Sequence, residues 1–464
     1  MPPLLIRNAT LLEGGRIDVR VVEGHIVEMG ALPVVEGEHV VDAAGGLLLP
    51  GLHDHHIHCA ATAAARASVQ CGPPDVADAE TLAARLAAPG EGWLRGVGYH
   101  DSVAGDIDRR WIDRVAPDRP VRIQHRSGRL WIFNSAGLAQ LLVSGLPPPQ
   151  GLDRDRGHLF DDDVWMRRAL GGTRPALDAL GGDLARLGVT GLTDMSPANG
   201  PEEHRWFVAE QASGALPQRV MLAGAEALAA CAYDERLMPG PVKVHLHEAQ
   251  LPDHDALIAR IVAAHAGARG VAVHCVTEVE LVFTLAAFEE AGVHAADRIE
   301  HASVAPDALV ARIAALGLPV VVQPLFPFER GDAYRRDIAQ AEWPYLYRLR
   351  AFREAGVAMA GSSDAPYVDI DPWAAMRTAT DRRTRDGATL GEMEAIEPEA
   401  ALALYLADPV DVRRQRKVAP GVAADLCLLD QPWEAVRGDL SADHVRLTMI
   451  AGRIVHDRVD EAPA

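Results

Sequence analysis

Short strand-like segments occupy both ends of the chain. Within each end, no helical pattern interrupts them. Residues 3–49 contain several short strand-like runs separated by glycine-containing turn signals. Residues 424–430 and 445–457 are strand-like in the same way, with a tight turn at Ala451-Gly452. We therefore predict a small composite β-sandwich, assembled from residues 1–49 and 406–464.

Between these ends, short apolar strands alternate with Ala- and Leu-rich helical segments. VAVHCV (271–276), RIEHAS (298–303) and VAMAGSSDAP (357–366) are each followed by such a segment. A strand–helix repeat requires parallel strands, and about eight repeats favour a closed barrel over an open sheet. The predicted fold class is α/β, with a (β/α)₈ TIM-like barrel over residues 50–405. Further candidate strands are residues 121–128, 189–196, 219–224, 242–248 and 319–324.

The charge balance narrows the possible partners. The formal net charge is -20, from 65 acidic and 45 basic residues. Binding to nucleic acids or to anionic membranes depends on Lys and Arg, so neither partner is expected. No segment is long and apolar enough to span a bilayer. The expected partner is a small-molecule substrate, and a homodimer is the default assembly.

The cysteines and the first residues indicate the compartment. The chain has five cysteines, and they are scattered without a CxxC pair. Neither a disulfide framework nor a Cys-rich zinc site is therefore expected. The first residues lack a basic start followed by a long apolar core, so they do not resemble a signal peptide. We expect a cytoplasmic protein.

The first predicted barrel strand carries the motif His56-x-His58. Residues two apart in a strand point to the same side, so both imidazoles can face one interior point. Imidazole is a common ligand of Zn²⁺ and similar ions. By itself the motif is more often surface or core than a metal site. His53 and His55 fall on the opposite face and are interpreted as supporting residues.

Three more candidates stand at the ends of predicted strands. His274 ends VAVH, His301 ends RIEH and Asp364 ends GSSD. They are separated by one or two units of about 30 residues, the size of a strand–helix unit. Barrel active sites are built at the carboxyl ends of the strands. For Asp364 the alternative is a helix N-cap before Pro366.

Together these segments resemble the amidohydrolase superfamily. PGLHDHHIH, VKVHLHE, VAVHC, DRIEHAS, GSSDAP and the terminal PGVAADLCLLD…TMIAGRIV occur in the expected order and span nearly the whole chain. The resemblance is greatest to the branch that contains N-substituted formamide deformylases and related metal-dependent amide hydrolases. The resemblance implies a barrel with a composite β-sandwich. It also implies that the site binds one or two divalent metal ions, with zinc as the expected metal.

The resemblance also implies roles for individual residues. His56 and His58 would be metal ligands from the first strand, and His274 and His301 would be ligands from the fifth and sixth. Lys243 matches the fourth-strand lysine, which in many members is carboxylated and bridges two metals. Its alternative is a buried lysine that forms an ion pair or binds substrate.

Asp364 matches the aspartate that acts as general base and acid. A divalent ion lowers the pKa of its bound water toward about 7, and an adjacent carboxylate can accept the proton and pass it to the leaving nitrogen.

Two positions depart from the family pattern. Relatives often have Asp-Gly after the fourth-strand lysine, where this chain has His247-Glu248. His247 could line the substrate pocket, replace a ligand or be a hydrogen-bonded strand-end residue. Relatives usually carry histidine at the position of Arg129, and an arginine there could bind a substrate carboxylate or form a surface salt bridge. His100, in GYHD, is a candidate for the pocket rim.

The predicted function is metal-dependent hydrolysis of a carbon–nitrogen bond in a small amide or formamide. The first alternative is a cyclic amidohydrolase or a deaminase with the same metal-dependent chemistry. A deaminase usually has a Glu-containing pattern on the fifth strand, which VAVHCVTE does not clearly supply. A catalytically inactive binding protein is the alternative from another class. Retention of Asp364 argues against it, because an inactive site has no need of that carboxylate.

Overall fold

The computed structural model describes residues 2–172 and 174–458. The strands in chain order are β1 Leu4–Thr10, β2 Arg16–Val22, β3 His25–Gly30, β4 His39–Asp42, β5 Leu48–Pro50, β6 Leu52–Ile57, β7 Val69–Gln70, β8 Leu94–Tyr99, β9 Val121–His125, β10 Leu130–Phe133, β11 Leu152–Asp153, β12 His158–Phe160, β13 Val189–Asp194, β14 Arg219–Gly224, β15 Leu237–His245, β16 Val271–Cys275, β17 Arg298–His301, β18 Val320–Val322, β19 Met359–Gly361, β20 Leu426–Leu429, β21 Val445–Ile450 and β22 Arg453–Asp457.

The helices are α1 Cys59–Arg66, α2 Ala79–Leu86, α3 Asp101–Ala104, α4 Arg109–Val115, α5 Ser135–Val143, α6 Asp163–Ala169, α7 Asp178–Arg186, α8 Pro201–Ser213, α9 His254–Ala266, α10 Glu278–Ala291, α11 Asp307–Leu316, α12 Phe326–Asp337, α13 Arg350–Glu354, α14 Pro372–Asp381, α15 Pro398–Leu406 and α16 Trp433–Val436. Short 3-10 helices cover Glu226–Ala230, Glu248–Gln250, Gln340–Tyr345, Glu392–Glu394 and Ala442–His444.

Eight parallel strands form the central sheet, in the order β6-β13-β14-β15-β16-β17-β18-β19. Each neighbouring pair is parallel, and α9, α10 and α11 cross between successive strands. The connecting helices have well-formed starts. In α10, the Thr277 hydroxyl accepts from the Glu280 amide, and the Glu280 carboxylate accepts from the Thr277 amide. This reciprocal cap satisfies two amides that the first helical turn leaves unpaired.

The two edges of this sheet meet at their carboxyl ends. The amide of Asp364, just after β19, donates to the carbonyl of His56 in β6 at 2.7 Å, and the amide of His58 donates to the carbonyl of Ala365 at 3.0 Å. The sheet is therefore nearly closed into a barrel, as predicted. The meeting edges bring residues from opposite ends of the barrel sequence into contact.

Strands from both chain ends form two further four-stranded sheets, with the orders β3-β2-β1-β4 and β22-β21-β20-β5. Ile6 and Ile26 from the first sheet share one buried core with Leu428 and Met449 from the second. Apolar side chains from both sheets thus exclude water from one layer, the arrangement of a β-sandwich. The composite β-sandwich of the predicted fold class is confirmed. Its predicted limits, 1–49 with 406–464, stay a prediction.

The chain divides into two compact units, one of Met1–Cys59 with Leu177–Ala464 and one of Ala60–Ala176. The second unit has its own six-stranded sheet, with the order β11-β12-β10-β9-β8-β7. The expectation that residues 121–128 supply a barrel strand is wrong, because β9 pairs with β8 and β10 in this sheet. The local pattern of β9 is strand-like in either sheet, so the sequence could not reveal its partners. Within the described residues, no helix combines the length and apolar character needed to cross a membrane.

Candidate metal centre

The carboxyl ends of the barrel strands bring three predicted site residues together. The Nε2 atoms of His56 and His58 lie 3.4 and 3.2 Å from Oδ1 of Asp364. One ligand atom from each of the three residues lies within 4.8 Å of the other two, so the group could hold a metal ion. His56 and Asp364 are buried, whereas His58 keeps 17% of its side chain exposed. The cluster is thus not fully enclosed.

A row of imidazole rings extends this cluster across the barrel. The ring centroids of His56 and His301 are 4.8 Å apart, and those of His301 and His274 are 4.5 Å apart. The His274 ring stacks on His245 at 4.2 Å. The rings of His301 and His274 therefore continue the row that begins at the His56–His58–Asp364 group.

Lys243 lies in β15 with its side chain buried. In the described part of the chain, its Nζ has no hydrogen-bond partner. Burial lowers the pKa of Lys243, although the nearby carboxylates of Glu300 and Asp364 oppose that effect. A buried amine without an acceptor is costly, so this atom requires a partner that the protein side chains do not supply.

Glu300 orients the ring of His56. Its Oε2 lies 2.6 Å from Nδ1 of His56, and its Oε1 accepts from Nε of Arg298 at 2.6 Å. With Nδ1–H donated to the carboxylate, Nε2 of His56 presents a free lone pair toward Asp364. A carboxylate behind a metal-binding histidine both fixes the ring and raises the basicity of the coordinating nitrogen.

Gln323 plays the corresponding part for His301. Its Oε1 lies 2.9 Å from Nδ1 of His301, while its amide nitrogen donates to the hydroxyl of Ser362 at 3.0 Å. The bonds of the amide nitrogen identify Oε1 as the acceptor, so Nδ1 carries the proton. Nε2 of His301 is then available to a metal ion.

Backbone geometry at the strand ends helps to aim these side chains. His301 and Asp364 have φ values of 74° and 58°, in the left-handed region that non-glycine residues seldom adopt. Asp54 holds the neighbouring segment: its carboxylate accepts from the amides of His56 and Ser363, at 3.0 and 3.1 Å, and from the Ser363 hydroxyl. The strained ends are thus supported by buried hydrogen bonds, as is common at functional sites.

The protonation states suit metal binding. Burial lowers the pKa of His56 and of His274 well below the usual value, so both rings are neutral near pH 7. Burial alone would raise the pKa of Asp364, but attraction to the neighbouring imidazoles in their protonated forms, chiefly His56 and His58, lowers it to about 2, so the carboxylate is ionised near pH 7. Neutral imidazoles with one carboxylate match the ligands preferred by Zn²⁺ and related ions.

The three predicted substrate-binding residues have different surroundings. His247 is exposed beyond the end of β15, with its ring 4.5 Å from that of His245. In the second unit, Nδ1 of His100 accepts from the Ser102 amide at the start of α3. Arg129 there forms an exposed two-point ion pair with Asp161. The surface salt bridge considered for Arg129 is therefore present, and a role in substrate binding stays a prediction for all three.

Sequence reasoning missed the supporting residues, Glu300, Gln323 and Asp54. Glu300 directly precedes a predicted ligand, and Gln323 ends a predicted strand. Both signals were visible. However, strand alternation places Glu300 and His301 on opposite faces, so a contact between Glu300 and another candidate ligand, His56, was not expected. The left-handed φ of His301 turns its side chain back toward the site, and no sequence pattern announces such a turn.

Comparison with known proteins gives a consistent result. The model of the Amidohydrolase family matches residues 39–456. The chain is similar to N-substituted formamide deformylase of Arthrobacter pascens, with 25% identity over 97% of this chain and 95% of that protein.

Two solved structures have a similar fold. An uncharacterized metal-dependent hydrolase from Pyrococcus horikoshii superposes with a TM-score of 0.77 and 20% identity, over 96% of this chain and 100% of that one. N-isopropylammelide isopropylaminohydrolase from Burkholderia multivorans gives a TM-score of 0.56 and 17% identity, over 98% of this chain and 99% of the other. At this level of identity, these two likenesses support the fold alone.

Proposed function

This chain belongs to the amidohydrolase family and is a metal-dependent amidohydrolase, and on that premise we propose that it hydrolyses an acyclic carbon–nitrogen bond in a small amide or formamide. The observation that carries the proposal is the meeting of His56, His58 and Asp364 at the carboxyl ends of the barrel strands. The formamide class is suggested by similarity to the deformylase of Arthrobacter pascens.

The proposed metal ligands are His56 and His58 with His274, His301 and Lys243. A bound divalent ion, for which we propose zinc, supplies Lewis acidity that lowers the pKa of water toward about 7 and polarises a carbonyl. The buried partners Glu300 and Gln323 keep the tautomers of His56 and His301 suitable for binding.

Asp364 is the proposed general base and acid. Its depressed pKa keeps the carboxylate ionised at neutral pH, ready to accept a proton from the attacking water. The same oxygen then delivers that proton to the leaving nitrogen, so that an amine departs rather than an amide anion.

Lys243 is proposed to become a carbamate. A neutral amine can attack CO₂, forming an N–C bond and releasing one proton, which turns a poor ligand into an anionic oxygen ligand. The buried, partnerless Nζ supports this proposal, because low polarity favours the neutral amine. The modification would also leave a single N–H on this nitrogen, and the two new oxygens would be available to bind metal.

The lysine content of the chain makes this modification measurable. The chain has only two lysines, Lys243 and Lys417. After reloading metal-free protein with Zn²⁺ and ¹³C-bicarbonate, we expect one slowly exchanging carbamate signal in the ¹³C NMR spectrum. Lys243→Ala should lack this signal and bind less metal. Lys417→Ala is the matched control, because Lys417 is 72% exposed and should leave the signal unchanged. A signal that persists in Lys243→Ala would contradict the carbamate.

The proposed function is tested by metal removal and substrate choice. Chelator-treated protein should lose essentially all activity toward N-alkyl formamides, and Zn²⁺ should restore it. Each formamide is compared with the acetamide of the same amine, while released amine and metal content are measured together. Turnover that survives complete metal removal would contradict the metal-dependent mechanism. If metal-loaded protein cleaves only cyclic amides or ring amino groups, the protein is a cyclic amidohydrolase or a deaminase, and the proposed acyclic reaction is wrong.

A further inference from the structure

Two arginines lie side by side on one face of the six-stranded sheet in the second unit. Arg95 in β8 and Arg122 in β9 are directly paired across these parallel strands. Like charges at directly paired positions repel each other, and both residues are half-buried, which reduces screening by water. Such a pair is unfavourable unless an anion accompanies it.

Tryptophan rings surround the two guanidinium groups. The guanidinium carbons of Arg95 and Arg122 lie 5.3 and 5.7 Å from the ring centroid of Trp131, and that of Arg122 also lies 5.6 Å from the ring of Trp93. These contacts hold the planar groups in place through cation–π attraction. They do not satisfy the N–H donors, because an aromatic face is at most a weak acceptor.

Arg122 lacks acceptors for these donors. Arg95 donates to the Ser68 hydroxyl at 2.7 Å and to the side-chain carbonyl of Gln124 at 3.3 Å. Arg122, by contrast, has no hydrogen bond or ion pair with any residue that the structure describes, and its Nε is buried. A guanidinium has five donors and is the side chain best shaped for two-point binding of a carboxylate.

One carboxylate adjoins the arginine pair, and it is already engaged. Oδ1 of Asp163 accepts from the indole nitrogen of Trp131 at 2.5 Å. A single Asp163 leaves a surplus of positive charge beside two arginines. The half-buried ring of Trp165 packs against the same apolar cluster, and its indole nitrogen is buried without an acceptor. The site thus combines surplus positive charge and unused donors with the half-buried rings of Trp93 and Trp165.

We propose that Arg95 and Arg122, with the rings of Trp93, Trp131 and Trp165, form a binding site for an aromatic carboxylate. The carboxylate accepts the free N–H groups of Arg122 and neutralises the paired charges. The aromatic body of the ligand packs on the accessible parts of Trp93 and Trp165, while the buried Trp131 holds the two guanidinium groups from beneath. This site lies within the unit Ala60–Ala176 and does not depend on the proposed hydrolytic function.

Benzoate is the probe, titrated into the full-length, metal-loaded protein and followed by calorimetry. We expect saturable binding, and a loss of affinity of tenfold or more in Arg122→Gln. Arg110→Gln is the matched control, because Arg110 is exposed in the same unit and its variant should bind as the wild type does. Asp163→Asn keeps an acceptor for Trp131 but removes the competing charge, so it should bind benzoate more tightly.

The two variants shift affinity in opposite directions, so a folding defect cannot imitate the result. Acetate, which lacks the ring, should bind more weakly than benzoate. The proposal is overturned if benzoate does not bind, or if Arg122→Gln binds it as tightly as the wild type, which would mean that the ligand lies elsewhere. It is also overturned if inorganic phosphate or acetate binds better than benzoate.

Discussion

Replacing Asp364 with asparagine is expected to lower kcat by a factor of about 10²–10⁴ while metal remains bound, since general acid–base catalysis contributes that much in typical enzymes. The amide of asparagine is nearly the same size as the carboxylate but cannot accept a proton at neutral pH. Its carbonyl oxygen can still face the imidazoles of His56 and His58, so the cluster should keep its shape.

The measurement pairs steady-state kinetics with metal analysis on the same sample, at saturating Zn²⁺. Asp369→Asn is the matched control, because Asp369 is exposed and lies five residues further along the same loop. It should retain the wild-type kcat. Loss of metal together with activity in Asp364→Asn would indicate a ligand role alone. Full turnover with bound metal would remove the residue from the mechanism.

The barrel could be predicted because its signal repeats. An apolar strand ending in a polar residue and followed by an amphipathic helix recurs about every 30 residues, and each copy supports the others. His274 and His301 are the clearest cases, since parallel strands necessarily bring their carboxyl ends to one side. Convergence of the candidate ligands therefore follows from the topology, without any knowledge of individual contacts.

The separate unit Ala60–Ala176 could not be predicted in the same way. Its strands, such as β9, have the ordinary alternation of apolar residues. The local sequence therefore does not show whether such a strand pairs with a barrel strand or with β10. Pairing of strands distant in sequence is decided by tertiary packing, which a local pattern does not contain. The choice of zinc, the homodimer and the cytoplasmic location stay predictions for a similar reason, because none is determined by the fold.

The hydrogen bonds that support the candidate ligands could not be predicted from the sequence either. The contact between His56 and Glu300 joins residues 244 positions apart, and it exists only because β6 and β17 both line the barrel. Sequence reasoning names residue types suited to a metal, whereas the tautomer of each imidazole depends on such distant partners. The sequence thus predicted the candidate ligands but not the residues that prepare them.

Glu300→Gln is expected to weaken metal binding by about 10–100-fold, the usual consequence of removing the partner of a metal-binding histidine. Glutamine can offer one carbonyl oxygen to His56 or to Arg298, but not to both as the carboxylate does. The variant also leaves the charge of Arg298 buried and uncompensated, which costs about 3–5 kcal/mol of stability in comparable cases. Metal affinity is measured by competition with a chelator, and stability by thermal unfolding of the metal-free protein.

Two further variants separate these effects. Glu280→Gln replaces another buried glutamate, which accepts from the amides of Val276, Thr277 and Glu248 and contacts no candidate ligand side chain, so it should lower stability and leave metal affinity unchanged. Combining Glu300→Gln with Arg298→Met removes both buried charges. This double variant should recover part of the lost stability, because no uncompensated ion remains, yet its metal affinity should stay low. Recovery of metal affinity together with stability would mean that Glu300 acts on the metal site only through folding, and its role in fixing the His56 tautomer would be wrong.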